Sequence, residues 1–191
     1  MLRKLHIRLA AVLLFLLLGP AVRGQEALLG VFNSPKGIGV TALFGPEWGD
    51  ESNILTLRTD FYGLLGGRTH KMGICVTYTH DYAIYRLWEE QFDMTLHAGA
   101  GGQIGYVQDW EKGLFSQFER QLTHKPGLAV ALAGNIGLRF DFDRLTLDLS
   151  FTVAPGMHLR TDEDTDDVLL SFYHAGIYHA YFPQLNIMYR F

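Results

Sequence analysis

Histidines and carboxylates are the residues of this chain whose types and spacing could do chemistry. Five of the seven histidines after residue 24 fall in or beside segments that interrupt the strand-like alternation described below: His70, His124, His158, His174 and His179. One of these segments also holds Asp162, Glu163, Asp164, Asp166 and Asp167. Imidazoles and carboxylates that converge could bind a transition metal, and the acids alone could bind calcium.

The acidic run follows an EF-hand calcium loop only in part. Asp162, Asp164 and Asp166 stand where that loop has its first three ligands. Asp167, however, takes the place of the glycine at its sixth position, and Tyr173 takes that of the bidentate glutamate. The pattern therefore favours a solvated acidic loop, with a metal site as the alternative.

Two serine–histidine sets could supply a nucleophile beside a base. They are Ser171 with His174 or His179, and Ser116 with His124. Their spacing singles out no triad. The single cysteine, Cys75, has no partner in the chain and is typical of a small buried apolar residue. The sequence therefore assigns no catalytic, cofactor-binding or metal-ligating residue.

The N-terminal segment has the three parts of a secretory signal peptide. A basic region with Arg3, Lys4 and Arg8 precedes the apolar run Leu9 to Leu18 and a small-residue exit that ends near Gly24. We therefore expect a signal peptide over 1–24 and one domain over 25–191. Without 1–24 the chain keeps 12 of its 16 Lys and Arg residues against 20 acids, a balance that excludes a nucleic-acid partner.

The domain is built from strand-like alternation. Odd positions from Leu145 to Leu159 are mainly apolar, and even positions from Thr146 to Arg160 are mainly polar or small. Strands of this kind are predicted near 26–33, 36–45, 53–65, 71–86, 91–108, 128–142, 145–159 and 178–191. These eight strands predict an all-β, eight-stranded antiparallel barrel. Val168 to Tyr173 could form a further strand, which would disturb the even count.

Alternation alone does not say which face points inward, because a lipocalin-like barrel buries its apolar face. The terminal Phe191 and the aromatic residues at strand ends favour the opposite arrangement, a membrane barrel with a polar interior. The aromatic residues are Trp48, Trp88, Trp110, Tyr106, Tyr181 and Tyr189. The ionisable residues then predicted inside are Arg58, Asp60, Asp81, Asp93, His97, Arg139, Asp148, His158, Arg160 and Arg190. The uncharged polar residues predicted inside are Thr41, Thr56, Thr77, Thr79, Thr95, Gln103, Asn135, Ser150, Thr152, Gln184 and Asn186.

A barrel of eight strands is only wide enough for side chains to fill. Four arginines facing four aspartates would fill it with mutual hydrogen bonds, so we expect a plugged, polar interior rather than a pore. An even strand count places both termini in the periplasm and the two long connections, 109–126 and 161–178, outside the cell.

Three segments carry a resemblance to a known group of proteins. They are GAGGQIGYVQDWEKG (99–113), GNIGLRFDFDRLTLDLSF (134–151) and YFPQLNIMYRF (181–191). Together with the terminal aromatic, they resemble small bacterial outer-membrane β-barrels of the OmpA/OmpX transmembrane type. Unlike for OmpA itself, we expect no soluble peptidoglycan-binding domain beside the barrel.

The resemblance implies a location in the outer membrane, with lipids and lipopolysaccharide as surroundings. It also implies that the assembly machinery reads the strand ending at Phe191. We expect a structural or surface-interaction protein whose extracellular loops meet an outside partner. The alternatives are a lipid A acyl hydrolase or transferase, a small channel and a metal-binding barrel.

Overall fold

The described part of the chain is almost entirely β-structure. A computed structural model describes residues 25–34, 37–46, 50–59, 61, 65, 72–108, 126–161, 168–172 and 181–190. Its strands are β1 (Gln25–Ser34), β2 (Gly37–Pro46), β3 (Glu51–Thr59), β4 (Ile74–Trp88), β5 (Asp93–Gln108), β6 (Pro126–Phe142), β7 (Leu145–Val153), β8 (Gly156–Thr161), β9 (Val168–Phe172) and β10 (Tyr181–Arg190). Within these residues no helix is long and apolar enough to cross a bilayer.

The strands close into a barrel. Each strand from β1 to β6 pairs antiparallel with the next one, β7 pairs with β10, and β10 pairs with β1. This ring has eight members, so the predicted fold class is confirmed as a closed, eight-stranded antiparallel barrel.

Strands β7 and β8 form one continuous wall of this ring. Their register against β6 does not change, since Gly134 pairs with Val153 and Leu128 with Leu159. The gap between them contains Pro155. Its carbonyl accepts a hydrogen bond from the Leu132 N–H at 3.0 Å, but proline has no N–H with which to donate one to β6. The ladder is interrupted here by the chemistry of proline and not by a turn.

Strand β9 resolves the question of the even count. Val168–Phe172 is a strand of its own, and it pairs with β8 alone among the described residues. It therefore lies beside β8 as β10 lies beside β7, and the ring keeps its eight members.

The register sets the tilt of the strands. If paired residues are traced from Asn33 on β1 across β2, β3, β4, β5 and β6, the trace ends at Leu159 on β8. If they are traced in the other direction, across β10, the trace ends at Leu149 on β7. These two residues lie ten positions apart on the same wall, which is the stagger of the barrel. With usual strand spacings, a ten-residue stagger over eight strands gives a tilt of about 40°.

The barrel is polar inside and apolar outside. Along β7 the even positions, such as Asp148 and Ser150, are buried, while Leu145 and Leu149 are exposed. Along β10 Gln184, Asn186 and Met188 are buried, and Leu185, Ile187 and Tyr189 are exposed. The predicted assignment of faces is confirmed for both strands.

One predicted boundary is wrong. The third strand was expected to run to residue 65, but β3 ends at Thr59, and Phe61 and Leu65 have helical backbone. The alternation of β3 is lost after residue 60, where Gly63, Gly66 and Gly67 follow, and glycine disfavours a continuing strand. A tight turn joins β6 to β7, with Asp143 at a φ of 46°.

Candidate functional site: the barrel interior

A histidine held between two carboxylates forms the most polar part of the interior. His97 Nδ1 lies 2.7 Å from Asp81 Oδ2, and His97 Nε2 lies 3.2 Å from Asp148 Oδ2. The second contact has the distance of an ion pair without the alignment of a hydrogen bond. All three side chains are at most 1% exposed. The imidazole thus links β4, β5 and β7 through the interior.

Two further side chains complete this group. The Asn135 amide donates to Asp81 Oδ2 at 2.7 Å, so that one carboxylate oxygen accepts from two residues. Arg139 Nε lies 3.9 Å from Asp148, and its guanidinium also donates to Ser52 Oγ at 3.3 Å. We call Asp81, His97, Asn135, Arg139 and Asp148 the interior cluster. Two cations against two carboxylates leave it neutral when the imidazole is protonated.

Glycines make the room that the interior cluster occupies. A Cβ built at Gly137 would lie 2.7 Å from His97 Nε2, and one at Gly99 would overlap Asp81 Oδ1. Both positions face inward, with Gly137 directly opposite His97 on β5 and Gly99 directly opposite Asp81 on β4. The missing side chains therefore leave space for the imidazole and for its carboxylate partner.

An apolar cluster fills the other half of the same cross-section. Leu28, Leu43, Ile54 and Met188 pack against one another and are buried inside the barrel. They come from β1, β2, β3 and β10, whereas the interior cluster comes from β4 to β7. At this level the lumen is thus divided into an apolar and an ionic half.

Two cavities lie in the described interior. One, of about 220 Å³, opens among the turns that join β2 to β3, β4 to β5 and β6 to β7, and Ser52, Thr95 and Arg139 contribute to its lining. The other holds about 20 Å³, room for one water, and is lined by residues that include Phe32, Arg58 and Asn135. The first is lined by Arg139 and the second by Asn135, so the interior cluster borders both.

The contacts of His97 in the interior cluster differ from those of the histidine in a catalytic triad. An Asp–His contact is also found in hydrolase triads, but there the second ring nitrogen faces a nucleophilic hydroxyl. In this barrel that nitrogen faces Asp148, and no member of the pair is accessible to a substrate. Within the described residues, no three His, Cys, Asp or Glu side chains are placed to hold a metal ion.

Most residues predicted for the interior lie there. Those that are buried are Thr41, Thr56, Arg58, Thr79, Asp81, Thr95, His97, Asn135, Arg139, Asp148, Ser150, Thr152, His158, Gln184 and Asn186. Thr77, Asp93, Gln103 and Arg190 face inward and are half-buried. Asp60 and the side chain of Arg160 lie outside the described residues.

The expected balance of four arginines against four aspartates is replaced by a different pairing. His97 engages Asp81 and Asp148 more closely than any arginine does, and Arg190 pairs at 3.8 Å with Asp141, which was not assigned to the interior. Period-two alternation places a residue on a face but does not choose its partner across the barrel, because partners depend on the stagger.

The apolar half of the lumen was also missed from the sequence. Leu28 and Phe32 alternate with Leu29 and Val31, so both faces of β1 are apolar and the pattern does not distinguish them. The pairing of β1 with β10, whose inward face is polar, determines which face of β1 points inward.

The loop residues considered for chemistry fall mostly outside the described residues. This holds for His70, His124, His174, His179, Ser116, the acidic run and Tyr173, and for the side chain of Ser171. His158 is described and is fully buried in the interior. Neither serine–histidine set named from the sequence is described with both of its side chains, and the backbone of Ser171 pairs with that of His158.

Comparisons with known proteins found no match to the chain. No protein-family model matches it, and no curated protein or solved structure shows significant similarity to it. The closed, eight-stranded β-barrel rests on the strand pairing.

Proposed function

We propose that this chain is a bacterial outer-membrane barrel of the OmpA/OmpX transmembrane type, with a sealed interior, that serves as a structural or surface-interaction protein through its extracellular loops. The observation that carries the proposal is the inverted polarity of the wall. Arg58, Asp81 and Asp148 are buried, whereas Val40 and Ile104 are more than half exposed. Burying charges and exposing apolar side chains is unfavourable in water and favourable in lipid.

The height of the apolar band supports the same proposal. Tyr106 pairs with Ile74, and Tyr82 lies eight residues further along β4, with both tyrosines exposed on the outer face. At the tilt given above, the two rings are separated by about 20 to 25 Å along the barrel axis. Membrane barrels carry aromatic girdles on either side of an apolar band about 25 Å tall.

The filled lumen favours a scaffold over a wide pore. The interior cluster and the apolar cluster together occupy the cross-section, and the cavities on either side are small. A rigid barrel of this kind positions loops without conducting solutes. In the proposed orientation the partners are outer-membrane lipids and lipopolysaccharide, the assembly machinery at the last strand, and a molecule outside the cell.

Cell fractionation tests the proposal. The chain is expressed with residues 1–24 in a Gram-negative host, and outer membranes are isolated and run on a denaturing gel with and without boiling. We expect loss of residues 1–24, recovery in the outer membrane and different mobilities for the two samples. A soluble product, or identical mobilities in the membrane fraction, would overturn the proposal.

Lipid A from the same cells separates the scaffold from the enzyme alternative. An unchanged mass spectrum is expected for a structural or interacting barrel. Loss or gain of one acyl chain would instead make the chain a lipid-modifying enzyme and direct attention to the serine–histidine sets at Ser116 and Ser171.

A further inference from the structure

The 220 Å³ cavity at the turn end of the barrel has an apolar floor and a charged rim. Leu28 and Leu43 contribute apolar surface, and the strand ends of β3, β5 and β6 add charged side chains of both signs. We call this cavity the vestibule. Its size is below that of sites for drug-sized molecules, so it suits a smaller ligand.

Part of the vestibule charge is already compensated. Arg190 pairs with Asp141 at 3.8 Å, and Arg86 pairs with Asp50 at 3.6 Å. Asp93 and Asp143, which also line the vestibule, have no side-chain hydrogen bond or ion pair with any described residue. Two carboxylates are therefore left to face the cavity.

Arg139 supplies the opposite charge at the inner side of the vestibule. It is nine-tenths buried and donates to Ser52 Oγ, and its Nε lies 3.9 Å from Asp148 Oδ2, beyond hydrogen-bond distance, so that this N–H has no acceptor among the described residues. A buried guanidinium N–H without an acceptor is costly, and an anionic group of a ligand would satisfy it.

The two kinds of charge are close but separated. Asp93 pairs with Asp141 and Arg139 pairs with Thr95, so Asp93 and Arg139 are diagonal neighbours across β5 and β6, with Cβ atoms about 7–8 Å apart. They form no ion pair with each other within the described part of the barrel. A short molecule with a cation at one end and an anion at the other would bridge them.

We propose that the vestibule binds a zwitterion of the α-amino acid type with an apolar side chain. Arg139 takes its carboxylate, Asp93 and Asp143 take its ammonium group, and the side chain lies on Leu28 and Leu43. A metal ion is a poorer occupant, because the described residues contain no set of three metal-ligating side chains and a hydrated ion gains nothing from an apolar floor. In the proposed orientation the vestibule opens to the periplasm.

Titration calorimetry on the full barrel in detergent micelles tests this proposal independently of its cellular location. The probes are leucine, N-acetylleucine, leucine amide and the dipeptide Leu-Leu. We expect leucine to bind, and each blocked form to bind about tenfold or more weakly because one charge is lost. If Leu-Leu binds more tightly than leucine, the natural ligand is a peptide. If leucine binds more tightly, the natural ligand is a free amino acid.

Variants locate the binding. Asp93→Asn should weaken leucine binding about tenfold while leaving the unboiled gel mobility unchanged. Glu90→Gln is the matched control, since Glu90 is exposed in the β4–β5 turn and does not line the vestibule. The proposal is overturned if leucine does not bind at millimolar concentration, if the blocked forms bind equally well, or if both variants lose the same affinity.

Discussion

His97 and Asp81 are joined by a 2.7 Å contact that runs diagonally across the β4–β5 pair, two positions from direct opposition. Through its other nitrogen the same ring reaches Asp148 on β7. The contact therefore ties separate parts of the wall to one another through the interior. We therefore expect the stability of the barrel to depend on this contact.

Replacing His97 by alanine removes the imidazole that contacts two buried carboxylates. Breaking a buried ion pair from one side costs about 3–5 kcal/mol, because the remaining charge is left uncompensated. We expect His97→Ala to lower the free energy of unfolding by about that amount in urea titrations of the barrel folded in lipid vesicles.

His80→Ala is the control for that change. His80 lies on β4, next to Asp81 but on the outer face, and its ring contacts Asn53 at 2.9 Å and the exposed Glu51 at 3.8 Å. We expect a clearly smaller loss of stability. Equal losses for the two variants would mean that the interior cluster adds nothing beyond an ordinary histidine contact.

A second prediction concerns the glycines beside the interior cluster. Gly137→Ala puts a Cβ 2.7 Å from His97 Nε2, and overpacking of this kind typically costs about 1–3 kcal/mol. Gly102→Ala is its counterpart on the neighbouring strand, where the nearest atom would be the Ala131 carbonyl oxygen at 3.7 Å. Thermal unfolding should show a lower Tm for Gly137→Ala alone, and a matching drop for Gly102→Ala would contradict the steric explanation.

A third prediction follows from the exposed apolar wall. Val40 pairs with Val31 and Leu57, and all three are exposed. In a bilayer Val40→Arg should cost about 2–4 kcal/mol, as for arginine near the midplane of a membrane barrel. Folding yields into vesicles would report the loss. Gln91→Arg, in the exposed β4–β5 turn, should fold normally, and equal yields would argue against lipid contact at Val40.

A fourth prediction concerns conduction. Because the apolar and ionic clusters both occupy the lumen, the purified barrel should give no discrete conductance steps in planar bilayers. Regular steps that persist after repeated purification would mean that the lumen opens, and the chain would then belong with small channels.

The sequence predicts the wall of this barrel well and its interior pairing poorly. From Leu145 to Leu159 a single period-two pattern gives the strand, its face and its continuation through Pro155, because each of these depends on local alternation. The contact between His97 and Asp148 depends on the ten-residue stagger of the whole ring, which local alternation does not contain.

Two other features escape local reasoning. Val168–Phe172 is a strand, as the alternative interpretation held. The sequence does not show, however, that this strand lies beside β8 as β10 lies beside β7, so that the ring gains no ninth member. The vestibule is formed by Asp93, Asp143 and Arg139, which come from separate turns and strand ends. Closure of the barrel is what brings them together.

Spin labels placed on the outer face test the central claim most directly. In a Cys75→Ala background, single cysteines at Val40, Ile104, Leu132 and Leu149 carry a nitroxide in vesicle-embedded protein, with Glu90 as the water-exposed reference. The inverted barrel predicts frequent collisions with oxygen and rare collisions with a soluble nickel chelate at the four wall positions. Nickel collisions as frequent at these positions as at Glu90 would show that the apolar wall faces water and would contradict the proposed membrane barrel.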